Sequence, residues 1–210
     1  MIYKIGNDHY NVAADVLIEL FESTNVPSDP ELLKEEVGLI CIENRKKDNW
    51  VEVDGQSFKY TTAYKKFFPD IDLNIIKIAR KYWSSELLNN GKIEWLIDYL
   101  INFPFSKRAI LQLWKDDYSD LSKSSSCITS IFFRIKNDKL EMHSSVRANN
   151  AASLMFLDIS FMLAVQDHVA ARLSIQSGDY YHFMNSLHLY RDEEERIGNI
   201  YKYLKTKYAK

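Results

Sequence analysis

Glycine, proline and cysteine are scarce in this chain of 210 residues, which contains six, four and two of them. So little glycine and proline excludes a collagen-like or low-complexity protein and leaves no stretch with the composition of a linker. The two cysteines, Cys41 and Cys127, are too few for the disulfide framework of a small secreted domain, and their spacing fits no zinc motif. We therefore expect a cytoplasmic protein without a metal site.

An excess of charge of either sign is also missing, because 27 Lys and Arg face 29 Asp and Glu and the formal net charge is −2. No long-range field attracts nucleic acid or an anionic membrane, so neither is an expected partner. The longest apolar segment, 153–165, is interrupted by Asp158 and Ser160 and falls short of the roughly 18 apolar residues of a membrane span. The chain is long enough for a substantial core, and we predict a single domain over 1–210.

Hydrophobic periodicity predicts a mixed α/β (α+β) fold in which helices cover a mixed sheet. Turn signals and proline positions separate the elements, and the sequence KND marks the turn of a hairpin. Helices are predicted over 10–22, 71–83, 92–103, 153–172 and 191–208. Strands are predicted over 37–42, 109–114, 127–135, 139–147 and about 180–187.

The side chains best suited to catalysis or ligand binding lie between residues 105 and 192. Cys127 opens the apolar strand ITSIFF, and a thiol there is a nucleophile when nearby cations favour the thiolate. Arg147 ends the hairpin and offers a guanidinium that matches phosphate oxygens. His188 and Tyr190 alternate along a strand end and so share one face. The plain alternatives are a small core hydrophobe for Cys127 and a solvated surface charge for Arg147.

Asp158 interrupts the apolar helical segment LMFLDISF. An ionised carboxylate buried among such neighbours is costly unless a partner donates a hydrogen bond to it. We therefore expect a partner or a ligand at this position. The alternative is that Asp158 faces solvent on the other side of the helix.

The segments SKRAI, SSSCITSIFF, SSVRANN, LMFLDISF and NSLHLY resemble, in order and spacing, the thymidylate synthase superfamily, which includes the deoxycytidylate and cytidylate hydroxymethylases. That family has a paired basic motif, a catalytic Cys, an R-S-x-D motif, an Asn or Asp on the next helix, and a D-x-H-x-Y strand end. The resemblance covers a core of about 105–192, while 1–104 is more divergent. It implies a thymidylate-synthase-like fold and a homodimer whose subunits pair sheet to sheet.

The resemblance also implies roles for particular residues. Cys127 would add to carbon 6 of a pyrimidine, and Asp158 would face the base. The family has Asn at this place in enzymes of uridylate and Asp in enzymes of cytidylate, and a carboxylate accepts from the exocyclic amino group of cytosine. Nucleotide contacts are implied for Lys107, Arg108, Arg147, Asn150, Ser186, His188 and Tyr190, with Lys107 and Arg108 reaching the partner's site.

The chain departs from the family pattern around the nucleophile and the phosphate anchors. The family usually has Pro, His, Ser, Asp and Asp where this chain has Ser126, Ile128, Ala148, Asn150 and Ser186. The upstream catalytic Glu of the family has no identified counterpart, and Trp83 and Glu86 are candidates for the folate and water-ordering positions.

The resemblance implies a pyrimidine nucleoside monophosphate as ligand and 5,10-methylenetetrahydrofolate as co-substrate. The final sequence KYLKTKYAK does not match the tail that closes over folate in the family, which favours capture of water. The expected reaction is therefore hydroxymethyl transfer to carbon 5 of CMP or dCMP. A thymidylate synthase acting on dUMP and a nucleotide-binding homologue with altered catalysis are the alternatives.

Overall fold

The computed structural model describes residues 1–45, 51–53, 56–60, 91–114 and 126–208, and the predicted helix 71–83 lies outside these ranges. None of the described helices has both the length and the apolar character that a membrane crossing requires. The elements, in chain order, are β1 Ile2–Gly6, α1 His9–Glu22, β2 Leu32–Ile42, β3 Val51–Val53, β4 Gln56–Tyr60, α2 Lys92–Asn102, β5 Ile110–Gln112, β6 Ile128–Lys136, β7 Lys139–Val146, β8 Asn149–Asn150, α3 Met155–Arg172, β9 Gln176–Tyr190 and α4 Glu194–Tyr208.

Seven of the described strands form one mixed sheet in the order β1-β2-β9-β7-β6-β5, with β8 paired to the end of β9. Pairing is parallel between β1 and β2, between β7 and β9, and between β8 and β9. It is antiparallel between β2 and β9, between β7 and β6, and between β6 and β5. The predicted fold class, a mixed sheet covered by helices, is confirmed.

Helix α3 is the centre of the hydrophobic core. Thirteen of its 18 residues are buried, including Asp158 and Gln166, so the helix is apolar around most of its circumference and not along one stripe. It packs over inward-facing residues of the central strands, among them the fully buried Phe133 and Met142. Helix α1 adds Val16 and other apolar side chains to the same core. This packing holds the first turn of α3 close to the sheet.

The hairpin between β6 and β7 forms at the predicted place. Lys136 pairs with Lys139, and the two turn residues, Asn137 and Asp138, have φ angles of 51° and 57°. Asn and Asp tolerate this left-handed conformation, which two-residue hairpin turns require. The strands β1, β3, β4 and β8 were not predicted, β2 begins earlier than predicted, and β9 is longer than predicted at both ends.

A register shift in the pairing of β2 with β9 changes the direction of the side chains near the end of β9. Glu36 pairs with Leu187 and Gly38 with Met184, so β9 contributes one extra residue between them. A Cβ at Gly38 would lie 2.9 Å from Met184 Cε and 3.0 Å from Leu187 Cδ2, so Met184 and Leu187 share one face. Such a bulge moves the residues beyond it to the opposite face from the one that simple alternation predicts. Since neighbouring side chains of a strand alternate, the Ser186 side chain lies on the face opposite that of Leu187.

Gln166 fastens α3 to the sheet and provides a test of this arrangement. Its fully buried Nε2 donates to the carbonyl oxygens of Leu140, Gly178 and Asp179 at 2.8, 3.2 and 3.2 Å. We expect Gln166→Leu to lower the free energy of unfolding by about 1–3 kcal/mol, because it leaves buried carbonyl groups without their donor. Urea denaturation measures the loss.

The control is His168→Leu, at an exposed position two residues further along α3. We expect it to change the free energy of unfolding by less than about 0.5 kcal/mol. Equal effects of the two substitutions would contradict the role of Gln166 as the link between α3 and the sheet.

Candidate active site

Three neighbouring strands bring Cys127 and Arg147 together at one edge of the sheet. Cys127 immediately precedes β6, Arg147 immediately follows β7, and the Arg147 amide donates to the Cys127 carbonyl at 2.8 Å. The Arg147 Nε donates to the Ser126 carbonyl at 3.3 Å, which holds the guanidinium stem beside the cysteine. The Ser186 amide of β9 donates to the Arg147 carbonyl at 3.2 Å. This edge is the candidate active site.

Asp158 enters the site from the first turn of α3. The residue is only 6% exposed, so the alternative in which it faces solvent is wrong. Its Oδ2 accepts a hydrogen bond from Asn149 Nδ2 at 2.6 Å. Burial raises the pKa of the Asp158 carboxyl to about 7, and the bond from Asn149 opposes this shift. Near neutral pH the group can therefore be either ionised or protonated.

Asn149 is a site residue that the sequence analysis missed. It is 1% exposed, and its Oδ1 has no hydrogen-bond partner among the described residues. The segment RANN contains two adjacent asparagines, and the resemblance pointed to the second one, Asn150. The sequence indicated Asn149 only indirectly, because a buried carboxylate at Asp158 requires a hydrogen-bond donor nearby.

Cys127 lies half-buried at the edge of the core, within the electrostatic reach of both charged partners. Burial raises the pKa of its thiol above the usual value, the Arg147 guanidinium opposes the shift, and the Asp158 carboxylate adds to it. The three predicted groups lie in one neighbourhood, because Arg147 bonds to the backbone of Cys127 and lies two residues from Asn149, whose side chain bonds to Asp158. Cys41, by contrast, is fully buried, and burial followed by the Glu43 carboxylate raises its pKa to about 12.

A second polar cluster lies at the end of β9. His188 is buried and its ring contacts that of Tyr190 edge to face, with centroids 4.9 Å apart. The Ser186 hydroxyl lies 3.2 Å from His188 Nδ1 and donates to Glu35 Oε1 at 2.6 Å. Burial lowers the pKa of His188 below its usual value, and Arg147 contributes in the same direction. Because the Ser186 amide also donates to the Arg147 carbonyl, the cluster borders the Cys127 end of the sheet.

Glu35 was also not predicted as a site residue, because strand β2 was predicted to begin only at residue 37. The observed strand begins at Leu32 and places Glu35 opposite His188. The segment LLKEEV lacks the apolar alternation that identifies a half-buried strand. Its pairing with β9 makes it a strand.

Both polar atoms of the Asn150 side chain form hydrogen bonds within the protein. Its Oδ1 accepts from the Ala152 amide at 2.9 Å, and its Nδ2 donates to Glu193 Oε2 at 3.0 Å. These bonds connect the turn before α3 with the beginning of α4. Each atom has one further hydrogen-bonding position, since an amide nitrogen has two N–H groups and an amide oxygen has two lone pairs, and the binding role of Asn150 stays a prediction.

Lys107 and Arg108 are not brought to the Cys127 site of their own chain. Both are exposed, and the adjacent Ala109 carbonyl accepts from the Phe133 amide of β6. Phe133 is six residues from Cys127, which corresponds to about 20 Å along a strand. The predicted candidates Trp83 and Glu86 lie outside the described residues. Within the described ranges, no three His, Cys, Asp or Glu side chains cluster as metal ligands.

The opposing effects of Arg147 and Asp158 predict the reactivity of Cys127. We expect Asp158→Asn to lower the pH at which Cys127 is alkylated by iodoacetamide, because a neighbouring negative charge is removed. We expect Arg147→Gln to raise that pH, because a neighbouring positive charge is removed. The pH dependence of the modification rate, followed by peptide mass, distinguishes Cys127 from the buried Cys41. The same midpoint in all three proteins would show that the groups do not share one site.

Comparison with known proteins identifies a family. Residues 47–208 match the family model described as thymidylate synthase. The chain is 22% identical over 146 residues to a thymidylate synthase of Lactococcus lactis subsp. cremoris (strain SK11), covering 60% of this chain and 52% of that protein. It is 22% identical over 171 residues to a thymidylate synthase of Haloferax volcanii, covering 78% and 47%.

The chain thus spans about half the length of the curated relatives it matches. The family match extends over most of the chain and includes the cysteine, the arginine and the helical aspartate that meet at the edge of the sheet. This protein belongs to the thymidylate synthase family.

Proposed function

We propose that this protein transfers a one-carbon unit to carbon 5 of a pyrimidine nucleoside monophosphate. The observation that carries the proposal is the convergence of a thiol, a guanidinium and a buried carboxyl group at one edge of the sheet. Arg147 is suited to a phosphate group, because guanidinium donors match phosphate oxygens in geometry and charge. Asp158 is suited to the polar edge of a base, and Cys127 to the ring carbon between them.

The chemistry begins with the Cys127 thiolate. Its sulfur forms a bond to carbon 6 of the ring, and the electron pair of the C5–C6 double bond becomes available at carbon 5. Carbon 5 then bonds to the incoming one-carbon unit. Loss of the carbon-5 proton would then expel the tetrahydrofolate nitrogen with the electron pair of its bond to the one-carbon unit, leaving an exocyclic methylene on the ring. Water would add to that methylene to give the hydroxymethyl group, and expulsion of the Cys127 thiolate would restore the C5–C6 double bond. The raised pKa of Cys127 in the free protein means that ligand binding must favour the thiolate, for example by neutralising Asp158 through hydrogen bonding.

We further propose that the preferred base is cytosine. The bond from Asn149 orients the Asp158 carboxyl through Oδ2, and the second oxygen would accept from the exocyclic amino group of cytosine. Uracil would present a carbonyl oxygen to the same ionised carboxylate, and two acceptors facing each other are unfavourable by about 1–3 kcal/mol. The product would therefore be a 5-hydroxymethylcytidylate.

The proposed donor is 5,10-methylenetetrahydrofolate, which would supply the one-carbon unit when bound. Trp83 and Glu86 remain the proposed candidates for its site and for ordering water. A cytoplasmic location is proposed with this activity, because the thiol must stay reduced to act.

The activity is tested by incubation with CMP, dCMP, UMP or dUMP and the folate at pH 8, above the pKa of about 7 for Asp158. We expect a product heavier than a cytidylate by CH₂O. Cys127→Ser should lower kcat by about a thousandfold or more, because the nucleophile is lost. Asp158→Asn should move the preference towards uridylates by about tenfold or more, since an amide can also donate.

Methyl transfer to dUMP would contradict the hydroxymethylase assignment and support a thymidylate synthase. Thermal shift with the same nucleotides separates binding from turnover, since a ligand of the folded state raises the apparent stability. Nucleotide binding by wild type and Cys127→Ser alike, without any product, would contradict the enzymatic proposal and support a binding homologue.

We also propose a homodimer formed through the sheet face opposite the helices. The exposed fractions of Ile5, Ile110 and Phe183 on this face are 51%, 47% and 36%. Strand register aligns a largely apolar row across six strands: Ile5, Cys41, Tyr181, His143, Phe132 and Ile110. A continuous face of this kind is suited to an isologous contact with a second copy.

The dimer would give Lys107 and Arg108 a function that they lack in their own chain. Because they lie about 20 Å along the sheet from Cys127, we propose that they contact the nucleotide of the partner subunit. Such sharing makes each site depend on both chains.

Mixing of inactive variants tests this sharing. An equal mixture of Cys127→Ser and Arg108→Ala subunits should recover about one quarter of the wild-type activity, because half of the dimers are hybrids with one intact site. The control is a mixture of Cys127→Ser and Arg147→Ala subunits, whose hybrids contain no intact site if Arg147 acts in its own chain. A mixture with Arg108→Ala that stays as inactive as its parents would contradict the shared site.

A further inference from the structure

Glu35, Ser186 and His188 form a chain of hydrogen bonds across β2 and β9. Glu35 lies opposite His188 in the strand pairing, between two register shifts of β2. Its Oε1 accepts from the Ser186 hydroxyl at 2.6 Å. The Ser186 Oγ and the Ser186 carbonyl oxygen lie 3.2 and 3.3 Å from His188 Nδ1. Nδ1 therefore faces two oxygen atoms of the same serine.

The proton positions follow from the donors and acceptors present. A serine hydroxyl has one proton, and bonding to a carboxylate is stronger than bonding to a neutral ring nitrogen. When that proton points to Glu35, the Ser186 Oγ can only accept from the ring, and a backbone carbonyl can only accept in any case. Nδ1 must then be the donor. Because burial lowers the pKa of His188, the ring is neutral near pH 7 and Nε2 carries a lone pair.

We propose that Glu35 is a positioning residue that acts through Ser186 to hold His188 in the tautomer with its proton on Nδ1, so that Nε2 accepts from a sugar hydroxyl of the bound nucleotide. The identity of the ligand rests on the proposed function, whereas the tautomer rests on the geometry of the protein alone. Glu35 supplies from β2 the negative charge that orients a residue on β9.

Removal of the Glu35 carboxylate should reverse the direction of the hydrogen bond between Ser186 and His188. In Glu35→Leu the Ser186 hydroxyl loses its acceptor and turns its proton towards His188 Nδ1. The ring then carries its proton on Nε2 and presents a donor where it had presented an acceptor. A sugar hydroxyl must reorient to bind, so we expect the nucleotide affinity to fall about fivefold.

The tautomer is measured in the ligand-free protein by long-range ¹H–¹⁵N correlation with ¹⁵N-labelled histidine. The chain has five histidines, and the loss of one set of signals in His188→Gln assigns His188. We expect the Nδ1–H tautomer in the wild type and mainly the Nε2–H tautomer in Glu35→Leu. The control Glu36→Leu should keep the wild-type tautomer, because Glu36 accepts from the N-terminal ammonium and Asn25 and not from Ser186.

A second substitution separates positioning from structural damage. In Ser186→Ala only the carbonyl oxygen of residue 186 remains beside Nδ1, so the Nδ1–H tautomer should persist. The double variant Glu35→Leu with Ser186→Ala should likewise return to the Nδ1–H tautomer, because no hydroxyl is left to donate. Damage to the strand pairing would not be repaired by removing one more polar group.

Binding of a 2′,3′-dideoxynucleotide completes the test. Its affinity should be the same in wild type and Glu35→Leu, since it offers no sugar hydroxyl to His188. An Nε2–H tautomer in the wild type, or no change of tautomer in Glu35→Leu, would overturn the positioning role. The expected change of tautomer in a protein that binds no pyrimidine nucleotide would overturn the proposed function and leave the role of Glu35 intact.

Discussion

The burial of the Asp158 carboxyl group beneath the first turn of α3 is the constraint that shapes the candidate site. A carboxylate in the protein interior must be stabilised by a donor or become protonated. Here the Asn149 amide donates at 2.6 Å, and the pKa nevertheless rises to about 7. Burial raises the pKa of the Cys127 thiol, the Arg147 guanidinium opposes this shift, and the Asp158 carboxylate adds to it. A ligand that donates a hydrogen bond to the Asp158 carboxylate therefore also changes the pKa of the Cys127 thiol.

Asp158 and His188 each depend on a side chain from another element of the fold. Asp158 is held by Asn149 of β8, and His188 is linked through Ser186 to Glu35 of β2. The precision of the site thus comes from strand register, and the register is kept by the packing of α3 on the central strands. The buried Gln166 contributes to this packing through its bonds to three backbone carbonyls.

The elements that were predictable from the sequence have strong local signals. The apolar periodicity of α1 and the Asn137–Asp138 turn act over a few residues, and the structure has both where they were expected. By contrast, the polar segment at Lys34–Glu36 becomes a strand only by pairing with β9, which lies about 150 residues later. Local sequence preferences carry no information about a pairing partner so far along the chain. For this reason Glu35 was not predicted, whereas Cys127 and Arg147 were.

The sequence by itself determined which chemical groups are available and in what order they occur: a thiol at a strand start, a guanidinium at a strand end and a carboxyl group within an apolar helix. It also determined that Asp158 would need a partner, because its neighbours are apolar. Only the tertiary structure decided that Asn149 and not Asn150 is this partner, and that Lys107 and Arg108 lie far along the sheet from their own Cys127. The physical reason is that a register shift or a pairing of distant strands changes which side chains meet without any local trace in the sequence.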